Sequence, residues 1–437
     1  MIKESLKRLI LQRYDNRGAI IVMIALMLPL LIGFVGLGVE IGSWFQNKRS
    51  IQTIADAAAI GGAYDAQDSI ATSTTILSAA TTDAIRNGYD ATNDTISASN
   101  PPSSGSYTSD TGAVEINVTR SVNLLFAGSF LGNSISITAR AVARTGDADE
   151  EACVLSLDTT STGVSVSGSG DVTFDGCQVA SNSSDSAALS ISGSGDLETD
   201  CYTVVGGVSD SNGGLTTDSG CSGKTGSAAI ADPYESLTAP DEACDENSYT
   251  YNNNGGSETI TGTGSYTDAY TICGDFWVKN GTVTLSPGLY VIEGDFKTNA
   301  NGSIQGDDVT IILKEGGQIN NINGSSTVNL TAPDTSASAG DWEGILFFQD
   351  PLTTSSCTGN NCNTLNGNSS TSFEGVVYFP DQEINVNGGN SASSPCLQLV
   401  ALRVSFSGNS DMSVDNSECS DLGVSGIALP GDVELVE

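Results

Sequence analysis

The chain has 437 residues, 52 of them Asp or Glu and 16 Lys or Arg, for a net charge of −36 at neutral pH. A body this acidic has no electrostatic footprint for nucleic acid, and anionic lipid headgroups would repel it. Ten cysteines and no histidine remove the commonest general base and zinc ligand, and in an exported chain they favour disulfides over metal ligation.

Residues 1–18 form a basic tail, with Lys3, Lys7, Arg8, Arg13 and Arg17 set against Glu4 and Asp15. The next 21 residues, AIIVMIALMLPLLIGFVGLGV (19–39), carry no charge. As a helix this stretch would be about 31 Å long, close to the hydrocarbon thickness of a bilayer. Pro29, Gly33, Gly36 and Gly38 are tolerated in a membrane span. A secretory signal peptide is the competing reading, but its apolar region runs roughly 7–15 residues and ends in a small-x-small site. Residues 19–40 are therefore expected to be a transmembrane helix. The positive-inside bias holds the N-terminus in the cytoplasm and sends the rest outward, in spite of Lys48 and Arg49.

Residues 41–146 read as a small α+β domain next to the membrane. Ile41, Phe45, Ile51, Ile54, Ala58 and Ala59 recur at helical spacing, and helix is expected from Ile41 to about Arg86. Gly61-Gly62 is expected to break or bend it. Residues 87–102 read as a polar link. AVEINVTRSV (113–122) and SISITARAVA (134–143) alternate as half-buried strands do. Between them, NLLFAGSFLG reads as a short apolar helix or a hydrophobic corner.

Residues 147–437 read as a mainly-β ectodomain. SVSGSGDV and SISGSGDL lie 25 residues apart, and Cys153, Cys177 and Cys201 are spaced by 24. A repeat of this length, with alternating strands and Gly/Asp/Asn turns, indicates a parallel β-helix or solenoid. A β-sandwich is the runner-up. Residues one rung apart would stack about 4.8 Å from each other, within disulfide reach. Cys396–Cys419 and Cys221–Cys244, each 23 apart, are thus expected to staple neighbouring rungs. Cys357 and Cys362 are expected to close a small loop. Connectivity among Cys153, Cys177, Cys201 and Cys273 stays open.

Chemistry-bearing patterns are sparse. Asp171 and Asp196 occupy equivalent repeat positions, where paired carboxylates could hold calcium or cleave glycosides. A solvated ladder of turn aspartates is the simpler reading. SLDTTSTG (156–163) lacks both serines of a von Willebrand A metal site and is set aside. No Walker loop or nucleophile elbow occurs, and no cofactor motif is present.

Residues 17–63, with Arg-Gly before the span, Pro29 inside it, a glycine-rich exit to Glu40 and the run ADAAAIGGA at 55–63, resemble the N-terminal region of TadG-like proteins of the Flp/Tad pilus-assembly systems. The strands at 113–122 and 134–143 look like that family's membrane-proximal domain. LSPGLYVIEGDF, GILFFQD and GVVYFP are similar to the Gly/Ser/Asn-rich ectodomain of some members. The von Willebrand A domain that other members carry is missing here. Cleavage after Gly18 would put Met23 where type IV prepilins have glutamate, so the N-terminus is expected to stay unprocessed. The resemblance implies a non-catalytic, single-pass protein of the inner membrane, with a periplasmic or extracellular body. Its role would be minor pilin-like or that of an envelope scaffold, with pilins and TadE-like proteins as partners. The alternative is a membrane-tethered β-helix that binds or processes polysaccharide, using aromatics among Phe276, Trp277, Tyr290, Phe347, Phe348, Tyr378 and Phe379.

Overall fold

The computed structural model describes residues 17–437, apart from 68–70, 125, 129–131, 146–150, 324, 352–361, 368–370, 389–391 and 409–411. The chain divides into two compact units, residues 1–146 with 432–437 and residues 147–431.

The first unit is built on one helix, Arg17–Asp65. Its C-terminal half buries Ile51, Ile54, Ala55, Ala58, Ala59 and Ala63 completely. These pack on Val114, Ile116, Val118, Ala139, Ala141 and Ala143 of an antiparallel sheet, and on Ile76, Ala80 and Ala84 of a second helix, Ser73–Arg86. Alanine on both surfaces lets the elements approach closely, because there is little side chain to keep them apart. Of the break or bend expected at Gly61-Gly62, the break does not occur, since the helix runs through both residues to Asp65. A Cβ on Gly61 would lie 2.2 Å from Asp83 Oδ2, and one on Gly62 3.2 Å from Val114. The pair makes room for the neighbouring helix and strand. Thr72 caps the second helix, its hydroxyl accepting the Thr75 amide while Thr75 returns a bond to the Thr72 amide, a reciprocal arrangement that satisfies two otherwise orphaned donors.

The sheet runs in the order Asp94–Ser99, Ala113–Asn123, Ser134–Thr145, Val433–Leu435. Two of these strands differ from expectation. Asp94–Ser99 lies in the segment read as a polar link; its short alternation, DTISAS, is hidden by the turn residues on either side. Val433–Leu435, expected within the β body, pairs instead with Ser134–Thr145. Three residues are too few for periodicity to reveal such a partner.

Ion pairs lock the sheet. Asp94, almost fully buried, receives Arg120 Nε at 2.6 Å and Nη2 at 2.7 Å. Glu115, equally buried, takes Arg140 at 3.1 Å together with Ser103 and Asn117. Arg140 also reaches Glu437 at 2.7 Å, which ties down the returning C-terminus. Burial would push both buried carboxyls up. For Asp94 the Arg120 hydrogen bonds and charge outweigh it, and for Glu115 the Asn117, Ser103 and Arg140 contacts do, so both sit below their ordinary values.

The second unit is mostly β and its ladders are parallel, apart from the short antiparallel pairing of Ile427–Ala428 with Glu151–Ser156. Successive strands fall in turn on three ladders. Glu151–Ser156, Gln178–Ser181 and Tyr202–Val204 share one, Val164–Val166, Leu189–Ile191 and Val208–Asp210 a second, and Val172–Asp175, Leu197–Thr199 and Leu215–Thr217 a third. Residues 249–415 cycle through the same ladders, so like stacks on like. Tyr249, Phe276 and Phe296 stack face to face at 5.1 and 5.2 Å, while Asn252, Asn280 and Asn301 form a hydrogen-bonded column. The SGSG turns stack backbone on backbone. Gly168 and Gly193 both have positive φ, and a Cβ on Gly193 would lie 2.4 Å from the Gly168 carbonyl oxygen. Only glycine fits that column.

The tiers are not in chain order. Leu397–Gly408 pairs with Ser372–Gly388 on one edge and with Glu151–Ser156 and Val164–Val166 on the other. Residues 151–225 therefore continue the stack beyond its C-terminal tier. The connection 226–248 then carries the chain back along the first ladder. On the way Ile230 bonds Asn182, Tyr234 bonds Gln398, Asp232 accepts from Tyr378, the Pro240 carbonyl accepts from Lys314, and Asp245 bonds Thr271. Ile230, Tyr234, Leu237 and Ala239 pack into the core beneath this connection.

This route explains the disulfides. Cys396–Cys419 and Cys153–Cys177 are bonded, with Cα atoms 4.8 and 5.7 Å apart. Cys221 and Cys244 are not joined to each other. They bond Cys201 and Cys273 respectively, because most of residues 222–243 between them belong to the returning connection and not to a tier. Cys362 is disulfide-bonded, while Cys357 lies outside the described residues.

Two measurements test these packings. Phe296→Ala removes a fully buried ring from the aromatic column and should cost the β unit about 4 kcal/mol, read from the midpoint of its denaturant transition. Because Asp94 and Glu115 titrate lower folded than unfolded, the stability they add is complete above the ordinary carboxylate range near pH 4. It drains away as pH falls through their native values. Arg120→Ala should cost about 3 kcal/mol at pH 7 by leaving Asp94 buried and unpaired, and acid should remove less further stability from it than from the parent.

Candidate membrane anchor and assembly surface

The helix Arg17–Asp65 changes character along its length. Between Ile21 and Val39 its large apolar side chains are exposed, including Leu26, Leu30, Phe34 and Val35. Among the described residues this is one helix long and apolar enough to cross a membrane. A helix can do so because its main-chain groups are paired within the segment. Pro29 lies inside the helix and does not end it.

One seam of this helix faces protein all the way from the sheet into the apolar stretch. Gln52 donates to the Arg140 carbonyl at 3.0 Å, and Lys48 donates to that of Thr138. Glu40 is buried and accepts the amides of Phe126 and Ala127 at 3.1 and 2.6 Å. One turn further towards the N-terminus, a Cβ on Gly36 would sit 2.8 Å from the Phe126 ring. The spacing 36, 40, 44, 48, 52 follows one helix face. By contrast Gly33, Gly38 and Gly42 meet nothing beyond the helix's own neighbouring backbone within 4 Å of where a Cβ would lie, so small residues also lie open along the span. Sequence reading found the span and the apolar turn but not their contact. The signal available was a lone glutamate directly after an uncharged run.

The other residues singled out from sequence have structural partners. The Asp171 carboxylate accepts the amide of Asp196 at 3.1 Å. Asp275 does the same for Asp295 at 3.0 Å, and Asp295 for Gln318 at 3.3 Å. The repeated aspartates thus close turns between tiers. Sulfur atoms of Cys244 and Cys273 approach a Glu293 carboxylate within 4.8 Å, but those sulfurs are joined to each other and offer no thiolate to a metal.

Of the candidate aromatics, Phe276, Tyr290, Phe347, Phe348, Tyr378 and Phe379 are core residues. Trp277 points outward, with Lys279 Nζ 3.7 Å and Lys297 Nζ 5.3 Å from its ring centre. Lys297 is itself paired with Asp275 at 2.6 Å. The buried Tyr378 hydroxyl donates to Asp232, and burial together with that carboxylate pushes its pKa upward. Asp232 is also raised, burial being the main cause. This pair holds the returning connection in place.

No curated protein and no solved structure matches the chain. A family model does match over residues 18–67, the helix and its junction with the sheet unit, and the family is described as putative Flp pilus-assembly TadE/G-like. Residues 18–67 of this chain are thus similar to the TadE/G-like family.

Proposed function

We propose that this protein is a membrane-anchored, non-catalytic component of Flp/Tad pilus assembly, acting as a minor pilin-like subunit or an envelope scaffold. The observation that carries the reading is the family match over 18–67, which falls on an exposed apolar helix, the one of its kind among the described residues. Lys3, Lys7, Arg8, Arg13 and Arg17 favour a cytoplasmic N-terminus at the inner membrane, with both units outside. Pilins and TadE-like helices are the partners this implies, and the small residues left open on the span would let another helix approach.

The body is read as a β-solenoid serving as a spacer. Three parallel ladders, columns of like side chains and disulfides between tiers support that reading, since each tier braces the next. The polysaccharide alternative rests on Trp277 alone, because the other aromatics are spent on the core.

Alkaline carbonate should leave the protein in the membrane pellet, and protease added from outside should spare only the N-terminal tail and span. A strain lacking the protein should be deficient in pili, with rescue by the intact chain and not by one starting after residue 40. Normal pili in the deletion strain would overturn the assembly role.

A further inference from the structure

The turn between the strands Ala113–Asn123 and Ser134–Thr145 has no role so far beyond its bond to Glu40. Its sequence, NLLFAGSFLGN (123–133), carries no charge in a chain of net charge −36. Phe126 leaves half of its surface exposed, at 51%. Its ring nevertheless lies against Gly36, three residues inside the end of the uncharged run. At 1.5 Å per residue that is about 4.5 Å within the apolar stretch. The two bonds that the Phe126 and Ala127 amides donate to Glu40 hold it at that level.

We infer that Phe126 makes a second membrane contact, its ring entering the acyl–headgroup boundary of the bilayer that the helix crosses. The inference rests on the anchor reading above and adds the depth of a second element.

Three features suit lipid as the occupant. Three amides of the turn are paired, those of Phe126 and Ala127 with Glu40 and that of Leu124 with the Asn133 carbonyl at 2.9 Å. The Phe126 and Ala127 amides at the tip are thus already satisfied where it meets an apolar medium. The ring lies against Gly36, in a stretch of the span where Val35 and Val39 are 67% and 60% exposed. An uncharged tip can also approach anionic headgroups that repel the rest of the chain. Glu40 thus acts as a positioning residue, converting the level of the span into the level of the turn.

The test places a single thiol at Phe126 (Phe126→Cys), labels it with an environment-sensitive fluorophore and reconstitutes the full chain in liposomes. None of the described cysteines is free to compete for label. Leu26→Cys marks mid-span, and Ala91→Cys, on an exposed turn of the sheet unit, marks water. The Phe126 label should be quenched by lipid carrying a shallow nitroxide and spared by aqueous iodide, whereas the Leu26 label should respond most to a deep nitroxide. Glu40→Ala should move the Phe126 label towards iodide and leave the Leu26 label unchanged.

If the Phe126 label behaves like that at Ala91 while Leu26 stays in lipid, the inference falls and the anchor stands. Shielding of the Phe126 label from both quenchers would mean that protein covers it, which also overturns the inference. Should iodide reach the Leu26 label, the anchor reading fails as well.

Discussion

The need of every main-chain amide and carbonyl for a partner organises both halves of this chain, and the halves meet it in opposite ways. The helix pairs its groups within one segment, so its flanks are free to be wholly apolar. The β unit pairs its groups between tiers. Its stability therefore depends on register, and one residue of slip would turn each buried row outward. The glycine column through Gly168 and Gly193 and the aspartate caps at Asp171, Asp275 and Asp295 sit at the corners, where a turning chain would otherwise leave amides unpaired.

The same economy shapes the sheet unit. A helix buried by alanines gains little apolar area per residue, and the sheet compensates with buried, hydrogen-bonded ion pairs. Arg120 and Arg140 are two of only 16 basic residues in the chain, and both are engaged with carboxylates deep in this unit. Charge here serves geometry. Arg140 joins Glu115 to the C-terminal Glu437 and so fastens a strand that arrives from almost three hundred residues away.

Several features could be read from sequence because they are local. An uncharged run of bilayer length, strict alternation at 113–122 and 134–143, and a repeated SGSGD turn each carry their physics in neighbouring residues. Others misled because the deciding partner was distant. Gly61-Gly62 looks like a breaker, since backbone freedom is what glycine shows locally, yet Asp83 and Val114 need the space. Cys221 and Cys244 have the spacing of one tier and belong to opposite ends of a connection. Asp94–Ser99 is a strand through its pairing with Ala113–Asn123, and turn residues crowd its short pattern.

Sequence by itself determined the apolar helix, the β character of the body and the TadE/G-like segment, because hydrophobic period, turn chemistry and motif are short-range properties. Only the tertiary structure decided the order of the tiers, the disulfide partners, the return of residues 432–437 to the first sheet and the bond of Glu40 to the turn at Phe126. Each of these joins residues far apart along the chain, and their pairing depends on which surfaces meet once the backbone groups are satisfied, a choice that no local window of residues contains.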